Sequence, residues 1–157
     1  MAVTLSGYQS FITNYLQIPT SALPLSSPSI LMTLAIAEEV VNPALMVVSS
    51  PCESTLGYTG DNVYELAVYN LAADYLINFA PDQPGQTYFA DLREKWKIFN
   101  FVPGVISASS DETTSESILN PEFMKGFTMS DLQRAKTPYG RQYLMFAQQY
   151  GQLWGLS

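Results

Sequence analysis

The sequence predicts a mainly helical single domain, and three observations carry that expectation. Apolar residues recur at three- and four-residue spacing in several separate segments. Ser27-Pro28 and Thr137-Pro138 each place a capping hydroxyl before a proline, which is a helix-start signal. The 157 residues are 47% hydrophobic and 13% charged, enough apolar material for one core.

The first amphipathic helix is predicted over residues 5–17, where Leu5, Tyr8, Phe11, Ile12, Tyr15 and Leu16 follow helical spacing. Residues 18–27, with Pro19 and Pro24, read as a loop. The helix opened by Ser27-Pro28 continues through Ile30, Leu31, Leu34, Ala35, Val40 and Val41, and stops before Pro43. In the looser stretch 43–60, Leu45-Met46-Val47-Val48 fits a short strand or a helical turn equally. Asp61 stands where it would cap the strongest helix, residues 62–80, which ends at Pro81.

Apolar side chains occupy most of the circumference of that helix, and only Asn70, Asp74 and Asn78 form a plain polar stripe. Such a helix is either central to the domain or clamped between the core and another subunit, which makes Tyr64 and Tyr69 candidates for a subunit interface. A further helix is predicted over residues 88–101, with Phe89, Leu92, Trp96 and Phe99 as its apolar stripe. Arg93, Lys95, Trp96 and Lys97 interleave bases with an aromatic, but the place of Trp96 in that stripe favours core packing over nucleic-acid contact.

After Pro103-Gly104 the composition changes. Residues 105–119 are rich in Ser and Thr, with acids at Asp111, Glu112 and Glu116, and read as a projecting polar arm, either a β-hairpin or a disordered loop. Its own side chains bury little, so order must come from neighbours, and Ile106, Asp111, Glu112 and Ile118 are the candidate contacts. A short helix is expected near residues 130–136. The helix opened by Thr137-Pro138 then carries Tyr139, Tyr143, Phe146, Ala147 and Tyr150 on neighbouring turns. The expected domain is thus a helical core at about 5–101 and 129–150, an arm at about 104–120 and an extended tail at 151–157.

Charge is segregated along the chain. Residues 1–92 hold eight acids and no Lys or Arg, while residues 93–157 hold all seven bases against six acids. An uncompensated acidic half repels phosphate, which argues against general nucleic-acid binding and suits a protein whose two ends face different neighbours. Residues 1–37 carry no charged side chain, yet Pro19, Pro24 and Pro28 interrupt them well short of the ~20 apolar residues a spanning helix needs. No membrane association is expected, and the uncharged stretch must be buried in the core or against a partner. The start of the chain lacks the positive region of a secretory signal, so synthesis in the cytoplasm is expected.

The residues offer little for catalysis. There is no His and one Cys, Cys52, which removes the commonest catalytic base, an internal disulfide and any multi-thiolate zinc site. Glu38 and Glu39 are adjacent on a helix and point about 100° apart, so they read as a solvated face rather than an acid pair. Glu65 and Asp74 lack a metal-ligand spacing, and Gly57, Gly60 and Gly85 lack the context of a phosphate loop. Neither catalysis, a metal nor a cofactor is expected.

Three pieces in order carry a resemblance: the Ala- and Leu-rich helix over residues 67–80, the Val-x-Ser-Ala opening of the Ser-rich stretch over residues 105–111, and Thr137, Tyr139, Gly140 and Tyr143 as Thr-x-Tyr-Gly-x-x-Tyr. In this order they are similar to the head-to-tail adaptor proteins of tailed bacteriophages, over about residues 30–151. The uncharged leader and the aromatic tail Gln-Leu-Trp-Gly-Leu-Ser depart from commoner family members.

The resemblance implies a small helical bundle that assembles as a ring, usually of twelve copies, at the head-tail junction of a virion. Its partners would be further copies of itself, the capsid portal and the next neck or tail protein. DNA would pass through the channel without sequence-specific binding, and an acidic wall would keep it from sticking. Tyr150, Leu153, Trp154 and Leu156 would form a terminal hook on the portal, with folding back of Trp154 onto its own bundle as the alternative. Other phage structural roles remain open: tail completion, ring terminator or capsid decoration. A small virion enzyme is the remaining reading.

Overall fold

The computed structural model describes residues 3–42, 63–100, 108–110, 115–117 and 128–149. Its helices are α1 (Leu5–Phe11), α2 (Pro28–Val40), α3 (Val63–Phe79), α4 (Tyr88–Lys95), α5 (Met129–Arg134) and α6 (Pro138–Gln149). Two three-residue strands, β1 (Ala108–Ser110) and β2 (Ser115–Ser117), pair antiparallel with Ser109 opposite Glu116. The described part of the fold is mainly helical.

Helix α1 begins where the Thr4 hydroxyl accepts the Gly7 amide at 3.1 Å, and it runs directly into a π-helical turn, Ile12–Leu16. The predicted span is therefore filled, but its second half is wound wider. Phe11, Ile12 and Leu16 all remain buried, and Gln17, in the left-handed region at φ 52°, closes the segment. In α2, Ser27 occupies the cap position but its hydroxyl makes no capping bond. The start is set by Pro28, whose missing amide has no partner to lose, and by the Ile30 amide on the Ser27 carbonyl at 3.1 Å.

Helix α3 is the centre of the molecule. α2 and α6 both pack on it, and Ala67, Ala72 and Ala73 are fully buried, which lets neighbouring backbones come close. Leu71, Leu76 and Ile77 are sealed beside them, and each such side chain contributes ~1.5–3 kcal/mol as an upper bound. Of the two sequence alternatives for this helix, the structure shows the first, burial within the subunit. The expected polar stripe is corrected: Asn70 and Asp74 are buried and only Asn78 is half-exposed. Asn70 and Asn78 meet this burial by bonding back to their own helix, to the Leu66 and Asp74 carbonyls at 2.8 and 2.7 Å.

Helix α4 stops at Lys95, six residues before the expected end. Lys97 is left-handed at φ 53°, its amide bonds the Glu94 carbonyl at 3.1 Å and the Ile98 amide bonds the Arg93 carbonyl at 2.9 Å. This is a Schellman stop with Lys in the position that usually announces itself as Gly. Because the chain turns there, Ile98 is buried and Phe99 is turned out, 79% exposed, instead of lying in the apolar stripe. Arg93 reaches back to the Ile77 and Ala80 carbonyls, so the first base in the sequence satisfies the C-terminal end of α3.

Candidate functional site

Besides Arg93, two polar joints with buried acids fasten other elements to α3. In the first, Thr137 caps α6: its hydroxyl oxygen accepts the Gly140 amide at 2.8 Å while its O–H donates to the Asp74 carboxylate. Asp74 is 2% exposed, and burial pushes its pKa up to about 6 against the opposing pull of the Thr137 bond, the Arg134 charge and Asn78. Gly140 is required for packing rather than for backbone freedom. A Cβ there would collide with the Arg134 carbonyl and crowd Asp74 Oδ1. Arg134 in turn donates to the Tyr75 hydroxyl at 3.1 Å and lies 5.4 Å over the Tyr143 ring. Asp131 pairs with Arg134 at 3.6 Å and closes the Thr128 capping box of α5.

In the second joint, the Tyr69 hydroxyl donates to Glu65 Oε1 at 2.7 Å and lies 3.2 Å from the Thr4 carbonyl oxygen and 3.4 Å from the Thr4 amide. Gly7 makes this approach possible, since a Cβ would collide with the Tyr69 hydroxyl. The Tyr69 ring stacks on Tyr8 at 5.6 Å and meets Phe11 at 5.7 Å. Burial first, then the Glu65 hydrogen bond, push its pKa up to about 12. Glu65 Oε2 is buried without a hydrogen-bond partner.

Asp74 beside Thr137 is a carboxylate next to a hydroxyl, and both are buried, so the pair holds two helices together. Among the described residues no group of three or more His, Cys, Asp or Glu is placed to hold a metal ion, and no helix is long and apolar enough to cross a membrane.

The expected contact residues separate into two sets. Tyr64 and Tyr69 are each 5% exposed and belong to the subunit's own core, so the expectation of a subunit interface there is corrected: their rings are consumed by α1, α2 and α3 packing. Ile106, Asp111, Glu112 and Ile118 of the arm, and Tyr150, Leu153, Trp154 and Leu156 of the tail, lie outside the described residues, as do Asp61 and Cys52. The apolar surface that the structure does show lies elsewhere. On α2, Leu31, Met32, Ile36 and Val40 are exposed, and Phe79 and Phe99 are 66% and 79% exposed. The signal for the first was present in the sequence, since α2 is apolar on both faces. The exposure of Phe99 needed the Lys97 turn, which no residue type announces.

No protein-family model, no curated protein and no solved structure matches the chain.

Proposed function

We propose that the chain is a structural virion subunit of the head-to-tail adaptor class. Copies form a ring that joins the capsid portal to the tail or next neck component and extends the DNA channel. The ordered motifs of the sequence support the reading, and so does the mainly helical fold. The observation that carries it is the outer face of α2, where Leu31, Met32, Ile36 and Val40 are exposed together, an apolar surface of the kind that assembly covers. On this reading the unit is a small bundle around α3, the β1–β2 pair belongs to the projecting arm, and residues 151–157 form the hook on the portal.

The test is the mass of the purified protein alone and with the portal protein encoded in the same genome. A multiple of the 17.4 kDa chain that rises on mixing with portal is expected. Single-copy mass under both conditions would refute the reading. Removing residues 151–157 should leave a folded subunit that no longer binds portal.

A further inference from the structure

We propose that the outer face of α2 receives a second copy of this chain, through the exposed segment that carries Lys95, Lys97 and Phe99. The inference deepens the ring reading above and rests on it for closure of the ring. The two surfaces themselves are read from the fold.

The receiving face is defined by what α2 does not bury. Ile30, Thr33, Leu34 and Ala37 point into the core, while Leu31, Met32, Ile36 and Val40 are exposed on the other side. Glu39 stands in that outer face, one turn beyond Ala35 and Ile36, and Glu38 stands at its rim, both exposed. The face is apolar with an acidic end. The inserting segment has the opposite sign. Phe99 is the most exposed large apolar side chain among the described residues, and Lys95 and Lys97 are exposed beside it. Lys136 donates to the Ile98 and Asn100 carbonyls and adds charge to the same turn, and Arg93 lies behind it. These four cations face three acids, Asp91 and Glu94 on α4 and Asp82 beside Arg93, so the patch keeps a small positive balance.

Position decides between closure within one subunit and contact between copies. Burial, and then the charges of Glu38 and Glu39, raise the pKa of the Tyr64 hydroxyl, which sets the acidic end of α2 beside the first turn of α3. Arg93 on the Ile77 and Ala80 carbonyls sets the basic patch at the last turn of α3. The two turns are about 22 Å apart along the helix at ~1.5 Å per residue. The acidic end and the basic patch of one chain therefore cannot meet, whereas two copies placed head to tail bring them together. Such a contact joins two different surfaces and makes a ring where its rotation closes.

Sedimentation velocity on the full chain at low and high salt tests the contact. Glu38→Lys with Glu39→Lys, and separately Lys95→Glu with Lys97→Glu, should each weaken self-association about tenfold at low salt, with the four changes together returning it to within about threefold of the starting value. Phe99→Ser should weaken it about tenfold at either salt, because its part is apolar. All five positions are exposed, and circular dichroism checks that each variant keeps its fold. Unchanged association in both charge-reversal pairs, or no recovery in the combination, overturns the contact. Assembly on portal that ignores these charges overturns the contact while sustaining the adaptor reading. Charge-dependent assembly without portal binding sustains the contact and overturns the adaptor reading. A chain that stays single-copy alone and with portal overturns both.

Discussion

Asp74 and Glu65 are both buried acids on α3, nine positions apart, and the fold treats them differently. The Asp74 carboxylate sits against a hydroxyl donor that is itself fixed by capping α6, with Arg134 nearby. Glu65 has one oxygen on Tyr69 and the other without a partner. The α6 joint is buried and braced by backbone, with Gly140 against the Arg134 carbonyl. The α1 joint depends on the far end of one tyrosine, so it tolerates change that the other does not.

The sharpest way to break this contrast is Gly140→Ala. The added methyl meets the Arg134 carbonyl, which is backbone and cannot swing away, so a loss of roughly 3–4 kcal/mol is expected. Thermal unfolding should show it as a fall of about 10 °C. A fall of only a degree or two would mean that α5 and α6 are free to separate.

Acidity probes the same joint from the carboxylate. Asp74 has a folded pKa of about 6 against an ordinary 3.8, so between these values the folded state holds a proton that the unfolded state has lost. Its contribution to stability is therefore fully present below about pH 4 and declines as pH rises through about 6, by at most about 3 kcal/mol. Asp74→Asn should remove that slope from urea midpoints measured between pH 4 and 7, while leaving the contributions of the other acids. An unchanged slope would place the titration on another group.

Gly7→Ala should cost less, about 1–2 kcal/mol, because the Tyr69 hydroxyl can move, at the loss of its bonds to Thr4 and Glu65. Combining it with Tyr69→Phe should cost less than the sum of the two single changes, and strict additivity in a double-mutant cycle would show that the two groups do not touch. The smallest effect belongs to Glu65→Gln. It keeps an oxygen for Tyr69 and puts an amide where the second oxygen has no partner, so stability should change by no more than about 1 kcal/mol in either direction. A loss above that value would reveal a partner for the second oxygen.

What the sequence made legible follows from how far each interaction reaches. Residues 62–80 read as a helix from their own spacing, and the structure places Val63–Phe79 there. Thr137-Pro138 read as a helix start, and Thr137 does accept the Gly140 amide. The partner of that cap could not be read, because Asp74 lies 63 positions away and its own neighbours in the sequence place it only in a polar stripe of α3. Lys97 shows the opposite failure: the stop of α4 is local, but it uses a left-handed Lys where only Gly or Asn gives a visible signal. Tyr64 and Tyr69 were misplaced because an all-round apolar helix does not say which side is covered by its own chain. The cover came from α1 and α2, whose docking depends on Gly7 and on the alanines of α3.

The order of pieces around α3 also sets a clock. Its C-terminal end is satisfied by Arg93 and one flank by a helix that begins at Pro138, both later in the chain than the helix itself. At ~5–20 residues per second, the ribosome takes on the order of 3–12 s between finishing α3 and starting α6. Through that interval this largely apolar helix stands half-covered in the cell, beside the apolar outer face of α2. Each nascent chain therefore carries adhesive surface before it carries the helix that seals it, and neighbouring chains on one messenger are exposed to one another at that stage. Yield of the native subunit should depend on how quickly synthesis crosses residues 80–138, a sensitivity set by gene sequence and growth temperature and not by the stability of the finished fold.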